Sequence, residues 1–158
     1  RKQDLADLNA FLRANGGEDI SVIAKIENQP GIDNIEEIFT ECTGIMIARG
    51  DLAVEVGYRR LAELQEEIMW VCESAHIPVI WATQVLENLV KTGLPSRAEI
   101  TDAAMGERAE CVMLNKGPYI VEAITVLTNI LQRMEQHQYK KTSQLRALHI
   151  AEHVFEEL

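Results

Sequence analysis

The sequence contains little that would indicate a nucleic-acid or membrane partner. Its 15 basic residues are outnumbered by 25 acidic ones, which gives a formal net charge of -10. No basic cluster is present that could hold a nucleic-acid backbone, and the apolar runs are too short to span a bilayer. We therefore exclude both partner classes. Anionic substrates stay open, because a site needs only local positive charge or a metal ion.

Cysteine is scarce too: the sequence has only three, an odd number that cannot all pair in disulfides within the chain. Cys42, Cys72 and Cys111 all lie in apolar segments, which predicts buried, reduced thiols in a reducing compartment such as the cytoplasm. The four histidines lie on predicted helices or near the carboxyl terminus, and none follows a predicted strand. We therefore expect no histidine metal cluster.

What the sequence does contain is a regular alternation of short apolar runs with amphipathic segments. Its 158 residues are enough for one domain with one core. The pattern predicts strands at residues 20–26, 44–48, 78–82 and 111–114. It predicts helices at about 5–12, 32–39, 61–76, 83–90, 97–107, 120–134 and 139–158, with a turn and a loop over 49–58. Alternating strands and helices favour an α/β fold with a parallel sheet, either a barrel or an open sheet.

Polar residues lie at the end of each predicted strand. They are Lys25, Glu27 and Asn28 at the end of the first strand, Arg49, Gly50 and Asp51 at the end of the second, Thr83 and Gln84 at the end of the third, and Asn115 and Lys116 at the end of the fourth. The carboxyl ends of parallel strands lie together, and ligands bind at that end of both barrels and open sheets. We therefore expect these polar residues to lie together in one functional site at the carboxyl end of the strands.

The first strand carries a charged pair on one of its faces. Lys25 and Glu27 are two residues apart and share a face, whereas Ala24 and Ile26 take the opposite one. An ion pair that merely ends a strand would contribute about 0–1 kcal/mol if exposed, and a buried pair often costs more than it returns. A site for a metal and an anion is the other interpretation. A carboxylate ligates Mg²⁺, and an ammonium faces a phosphate or oxyanion.

Asp51 and Thr83 are expected beside that pair. Two carboxylates on adjacent strand ends, Glu27 and Asp51, are a common way to hold Mg²⁺, and amides near Gly50 could meet a carboxylate ligand. The alternative is that residues 49–51 form only a turn. Thr83 offers a hydroxyl at the third strand end, although a role as a helix N-cap is the simpler interpretation when it is taken alone.

Five strings are distinctive in their order and spacing. They are VIAKIENQPGIDNIEEI, GIMIARGDLAVEV, PVIWATQVLENL, PSRAEITDAA and CVML. Together they resemble the pyruvate kinase family over about residues 1–130. The resemblance implies a TIM (β/α)8-type barrel. Residues 1–138 would supply the last four β/α units, and residues 139–158 would form a helical tail.

The resemblance also implies an activity and its cofactors. Enzymes of this family are phosphotransferases of glycolysis that transfer the phosphoryl group of phosphoenolpyruvate to ADP, giving pyruvate and ATP. They need Mg²⁺, for which Glu27 and Asp51 would be the ligands, and usually K⁺. The ligands of K⁺ are expected in the first half of the barrel, and a homo-oligomer is expected.

Residue roles follow from the resemblance in the same way. Lys25 would be the catalytic lysine, stabilising the transferring phosphoryl group and the enolate. Thr83 would be catalytic as well, binding substrate near the carbon that is protonated. The backbone around residues 48–51 would hold the substrate carboxylate. The implied substrate-binding set is Lys25, Ala48, Arg49, Gly50, Asp51 and Thr83.

Two positions depart from the family pattern. Met113-Leu114 is followed by Asn115-Lys116-Gly117, where the family usually has S-G-E-T. Trp81 stands where the family usually has a small residue. The altered loop leaves open a catalytically dead, pyruvate kinase-like binding protein. The strand-end glutamate and aspartate leave open a Mg²⁺-dependent aldolase or lyase.

Four strands cannot close an eight-stranded barrel. Because the first residue is Arg1 rather than methionine, we expect an excerpt of a longer enzyme. The alternative is a chain that pairs with a separate half of the barrel. In either case we expect this segment alone to be inactive.

Overall fold

Strands and helices alternate along the chain. The computed structural model describes residues 1–139 and 142–143. The strands of the main sheet are β1 (Ile23–Ile26), β2 (Gly44–Ala48), β3 (Val79–Val85) and β4 (Cys111–Leu114). The helices are α1 (Lys2–Ala14), α2 (Gln29–Asp33), α3 (Ile35–Phe39), α4 (Arg49–Val56), α5 (Tyr58–Ser74), α6 (Glu87–Thr92), α7 (Arg97–Met105) and α8 (Ile120–Glu135). A small antiparallel pair is formed by β5 (Gln138–Tyr139) and β6 (Thr142–Ser143).

The four strands of the main sheet pair in chain order, β1-β2-β3-β4, and every pairing is parallel. Each of the three connections passes through at least one helix, as parallel strands require. All four carboxyl ends therefore lie along the same edge of the sheet. The predicted α/β class and the parallel sheet are confirmed.

One face of the sheet packs against helices. Ile26, Ile47 and Trp81 are neighbours across β1, β2 and β3, and each is at most 1% exposed. Leu52 from α4 and Met69 from α5 join the same core. Burying an aliphatic side chain of this size stabilises the fold by about 1.5–3 kcal/mol, so this face supplies most of the stabilisation of the sheet.

The opposite face is covered less completely by the described residues. Lys25, Met46, Ile80 and Cys111 form a row across the four strands. Lys25 and Cys111 are exposed, and Met46 and Ile80 are partly buried. We call this row, together with Ile23, the open face. Parallel sheets are almost always covered on both faces, whereas the described residues cover the open face only in part.

The cysteines do not all lie where we predicted. Cys72 is buried as expected, Cys42 is partly buried, and Cys111 is exposed. Burial raises the pKa of the Cys42 thiol. The prediction of a buried Cys111 is wrong, because the alternation of β4 directs this residue to the open face.

Residues 49–56 form the helix α4, where the sequence pattern predicts a turn and a loop. The helix begins directly after β2 and buries Arg49, Leu52 and Ala53. A glycine inside a helix costs about 1 kcal/mol relative to alanine, so Gly50 next to Asp51 gives a strong local signal for a turn. Burial of the inner side of α4 against the sheet outweighs that signal.

The carboxyl-terminal region allows only a partial comparison. The helical tail predicted over 139–158 falls outside the described residues, except at 139 and 142–143, which belong to the small β5–β6 pair. Among the residues described, no helix combines the length and the apolar character needed to cross a bilayer.

The buried indole of Trp81 depends on a glycine beside it. Trp81 is completely buried. A Cβ atom placed on Gly106 would lie 3.2 Å from Cδ1 of Trp81 and 2.9 Å from Cγ2 of Val112. The backbone of Gly106, with φ of -63°, would accept any residue, so the restriction is steric. Gly106 therefore provides the space that Trp81 occupies.

We predict that Gly106→Ala lowers the free energy of unfolding by about 1–3 kcal/mol, the usual cost of overpacking a core. Urea denaturation of the full polypeptide measures the change. The penalty should shrink in a Val112→Ala background, which removes the nearest contact atom. An equal penalty in both backgrounds would contradict the steric explanation.

Candidate active site

The candidate site lies at the carboxyl edge of the main sheet, where one lysine contacts two carboxylates. Nζ of Lys25 donates to Oδ2 of Asp51 at 3.0 Å and forms an ion pair with Oε2 of Glu27. Lys25 is in β1, Glu27 follows that strand, and Asp51 lies in the first turn of α4 after β2. The structure thus brings together the three charged residues that the sequence singles out.

The two carboxylates favour the charged form of the lysine. The hydrogen bond to Glu27, and after it the one to Asp51, raises the pKa of Lys25 above its ordinary value. The side chains of Lys25, Glu27 and Asp51 are 47%, 39% and 62% exposed, so their pairing adds little to stability. Its effect is local, because a fixed positive charge holds two acids side by side.

An open cleft of about 460 Å³ borders this trio, and it is lined by Glu27, Asn28, Asp51, Val54 and Glu55. Its size suits a small metabolite. One ammonium reaches both carboxylates, so their oxygens lie within two hydrogen-bond lengths of each other. Hard oxygen ligands of this kind fit Mg²⁺. Among the described residues no three acidic, histidine or cysteine side chains group as a complete metal site, so water or substrate oxygens would complete the shell.

Thr83 links the end of β3 to the start of α4. Its Oγ1 accepts a hydrogen bond from the backbone N–H of Gly50 at 2.7 Å. Thr83 and Gln84 both have left-handed backbones, with φ of 65° and 59°, which is rare for a β-branched residue. Thr83 belongs to β3, and Leu86 precedes α6, so the interpretation of Thr83 as a helix N-cap is wrong.

The backbone expected to hold a substrate carboxylate is partly engaged. Ala48 is completely buried, so neither its side chain nor its main chain lies at the surface of the described structure. The N–H of Gly50 already has the Thr83 hydroxyl as its acceptor. The amides at the start of α4 nevertheless lie at the same edge of the sheet as Lys25. They are therefore close to the cleft that Asp51 lines.

The side chain of Arg49 points away from the cleft into the protein. It is 8% exposed. Its Nε donates to O of Ala82 at 3.0 Å, its NH2 donates to O of Thr83 at 2.7 Å, and the guanidinium pairs with both oxygens of Asp102. Because these contacts occupy the guanidinium, we expect any contact between Arg49 and a substrate to come from its backbone. Sequence analysis missed Asp102, because no local pattern marks an ion pair that spans 53 positions.

Other polar residues singled out in the sequence have structural roles. Oδ1 of Asn28 accepts from N of Gly31 at 2.9 Å and caps α2. In the PSRAEITDAA string, Oε2 of Glu99 accepts from N of Ser96 at 2.8 Å, which completes a capping box at the start of α7. These contacts stabilise the helices that follow the strand ends.

Comparisons with known proteins agree with the resemblance seen in the sequence. The family model described as pyruvate kinase, barrel domain, matches residues 1–124. The chain is 39% identical over 142 residues to a pyruvate kinase of Borreliella burgdorferi, covering 86% of this chain and 30% of that protein. It is 38% identical over 141 residues to one of Clostridium acetobutylicum, covering 85% and 30%.

A eukaryotic relative gives the same picture. The chain is 42% identical over 143 residues to a pyruvate kinase of Dictyostelium discoideum, covering 85% of this chain and 28% of that protein. The chain thus spans less than a third of the length of the relatives it matches. Because the family model matches well over half of its residues, the chain belongs to the pyruvate kinase family, with residues 1–124 in the barrel domain.

Proposed function

We propose that these residues supply part of the active site of a pyruvate kinase, which transfers the phosphoryl group of phosphoenolpyruvate to ADP and gives pyruvate and ATP. The observation that carries this proposal is the Lys25 ammonium held between Glu27 and Asp51 at the carboxyl edge of the sheet. Phosphoryl transfer depends mainly on positioning and on stabilising charge. A fixed cation beside two potential metal ligands suits both requirements.

Lys25 would act on the oxygens that become more negative during the reaction. Lys25 is protonated at neutral pH, as an ordinary lysine is, and its carboxylate partners raise its pKa further; an ammonium carries three donors. In the structure two of its contacts go to carboxylates. With substrate bound, donors of the same group would stabilise the transferring phosphoryl group and the enolate oxygen, where preorganised charge is most effective.

Glu27 and Asp51 would hold Mg²⁺. When bound, the metal supplies Lewis-acid charge that neutralises phosphoryl and enolate oxygens. Both side chains are open to solvent, which leaves room for the water and substrate ligands that Mg²⁺ retains. The proposal includes K⁺, with ligands in the other half of the barrel rather than among the described residues.

Thr83 would orient the substrate near the carbon that receives a proton. Its oxygen accepts from the Gly50 amide, so the hydroxyl hydrogen can donate elsewhere, because a hydroxyl is donor and acceptor at once. The main chain of residues 48–51 begins α4 beside it and would bind the substrate carboxylate. The partial positive charge at a helix start favours that contact.

The proposal also covers the rest of the fold. We propose an eight-stranded barrel in which β1 to β4 are the last four strands and further chain covers the open face. Two observations support it. The open face is only partly covered, although parallel sheets are almost always covered on both faces, and the chain corresponds to only about 30% of its relatives. The homo-oligomer and the cytoplasmic location stay predictions.

A catalytically inactive, pyruvate kinase-like binding protein is the second candidate. Asn115 and Lys116 follow β4, where the family pattern has a serine and a glutamate in the loop. The family match favours the kinase over the aldolase or lyase. ADP-dependent formation of pyruvate by the full polypeptide, followed with coupled lactate dehydrogenase, would exclude the inactive protein. Its absence would overturn the kinase.

We predict that Lys25→Met lowers kcat by about 10²- to 10³-fold, the usual cost of removing one preorganised donor from developing negative charge. The coupled assay at saturating substrates and Mg²⁺ measures this. Lys91→Met is the matched control, because Lys91 is an exposed lysine paired with Glu87 on α6, and it should leave kcat unchanged. Retained turnover in Lys25→Met would show that Lys25 has no catalytic role.

We predict that Glu27→Gln and Asp51→Asn each raise the Mg²⁺ concentration for half-maximal activity by at least about 10-fold, since even outer-shell partners of a metal contribute this much. Titration of activity with Mg²⁺ measures the shift. Glu55→Gln, which changes an acid in the same cleft, should leave the Mg²⁺ requirement unchanged. An equal shift in all three variants would indicate a general electrostatic effect and argue against direct ligation.

A further inference from the structure

We propose that Asp102 is a positioning residue for this site, acting through Arg49 to hold the left-handed turn that presents the Thr83 hydroxyl. This inference deepens the proposed function and rests on it. The contacts run from α7 through the Asp102 carboxylate to the Arg49 guanidinium, on to the carbonyls of β3, and from Thr83 to the Gly50 amide. No local sequence signal marks this chain of contacts.

The turn needs an external support. Thr83 and Gln84 are consecutive non-glycine residues with φ of 65° and 59°, and Leu86 follows with φ of 49°. Such conformations persist only where the surroundings determine them strongly. The pairing of β3 with β4 is also irregular between Trp81 and Val85, so the ladder does not hold this segment in regular register.

Arg49 supplies that support from the neighbouring helix. It donates to O of Ala82 at 3.0 Å and to O of Thr83 at 2.7 Å, two carbonyls at the start of the turn. The guanidinium is a rigid planar fork, so fixing its plane fixes the separation and direction of both carbonyls. Its Cζ lies 4.3 Å from the centroid of the Trp81 ring, which restrains the plane from one side.

Asp102 completes the orientation of the Arg49 guanidinium. Its two oxygens accept from NH1 and NH2 of Arg49, the latter at 2.9 Å. The Arg49 side chain is 9% exposed and that of Asp102 is 29% exposed, so solvent screens the pair weakly. A bidentate pair adds geometric specificity as well as energy. Asp102 also lines a cleft of about 230 Å³ next to Thr83 and Gln84, so the turn has space to relax if the pair is lost.

The chain offers a matched control in a second ion pair. NH1 of Arg108 donates to Oε1 of Glu66 at 2.6 Å, and their side chains are 11% and 25% exposed. This pair has nearly the burial of the first, but Arg108 precedes β4 and therefore lies near the amino ends of the strands. Removing it should affect stability alone.

The experiment compares Asp102→Asn with Glu66→Gln in the full polypeptide. Both variants should lower the unfolding midpoint, because each leaves a buried guanidinium without its carboxylate. We expect only Asp102→Asn to lower kcat, by about 10- to 100-fold, the effect of a small misplacement of a catalytic group. In a Thr83→Ala background the loss caused by Asp102→Asn should largely vanish, since coupled residues are not additive.

Hydrogen exchange of the Gly50 amide gives a readout that does not depend on activity. Exchange should become faster in Asp102→Asn, because the Thr83 acceptor moves away, and stay unchanged in Glu66→Gln. Arg49→Lys keeps the charge but loses the fork, so it should reproduce both effects if Asp102→Asn fails to fold.

The outcomes separate this inference from the proposed function. Unchanged Gly50 exchange in Asp102→Asn or in Arg49→Lys, or losses that add fully to those of Thr83→Ala, would overturn the positioning role. A wild-type polypeptide that makes no pyruvate but shows the predicted exchange would overturn the proposed function and support the arrangement of the turn.

Discussion

Parallel pairing of four successive strands is the constraint on which the rest of the structure depends. Each connection must run back to the opposite edge of the sheet, here through helices, and all four carboxyl ends lie at one edge. Lys25 and Asp51 are 26 positions apart in the chain, yet they meet because β1 and β2 are neighbours in the same direction. If β1 and β2 were antiparallel, their carboxyl ends would lie at opposite edges of the sheet, and the charged trio could not form.

The buried guanidinium of Arg49 fixes the positions of neighbouring elements at the carboxyl edge. It connects α4, the end of β3 and α7 through one planar group, and it lies against the largest side chain of the core. The functional edge is thus held by buried polar contacts in addition to the apolar core, which joins the sheet to its helices. Gly106 belongs to this arrangement indirectly, since it leaves room for the indole on which Arg49 rests.

Sequence patterns predicted the parts of the molecule that depend on short-range periodicity. The bounds of β2 and β4 agree with the predicted runs at 44–48 and 111–114, because turn-forming residues flank apolar stretches there. The meeting of Lys25 with Glu27 and Asp51 followed from alternation and parallel pairing. The helix at 49–56, the left-handed backbone of Thr83 and the role of Asp102 were not predictable, because each depends on contacts between segments far apart in the chain.

The charged trio has a consequence for the order in which ligands arrive. The Lys25 ammonium and the three carboxylates of Glu27, Asp51 and Glu55 leave two net negative charges at the cleft, and these repel an anion. A divalent cation taken up by the carboxylates would cancel that charge and remove the repulsion. In the proposed enzyme, binding of the metal would therefore favour subsequent binding of the anion. The ammonium released from its two acids would turn toward that anion.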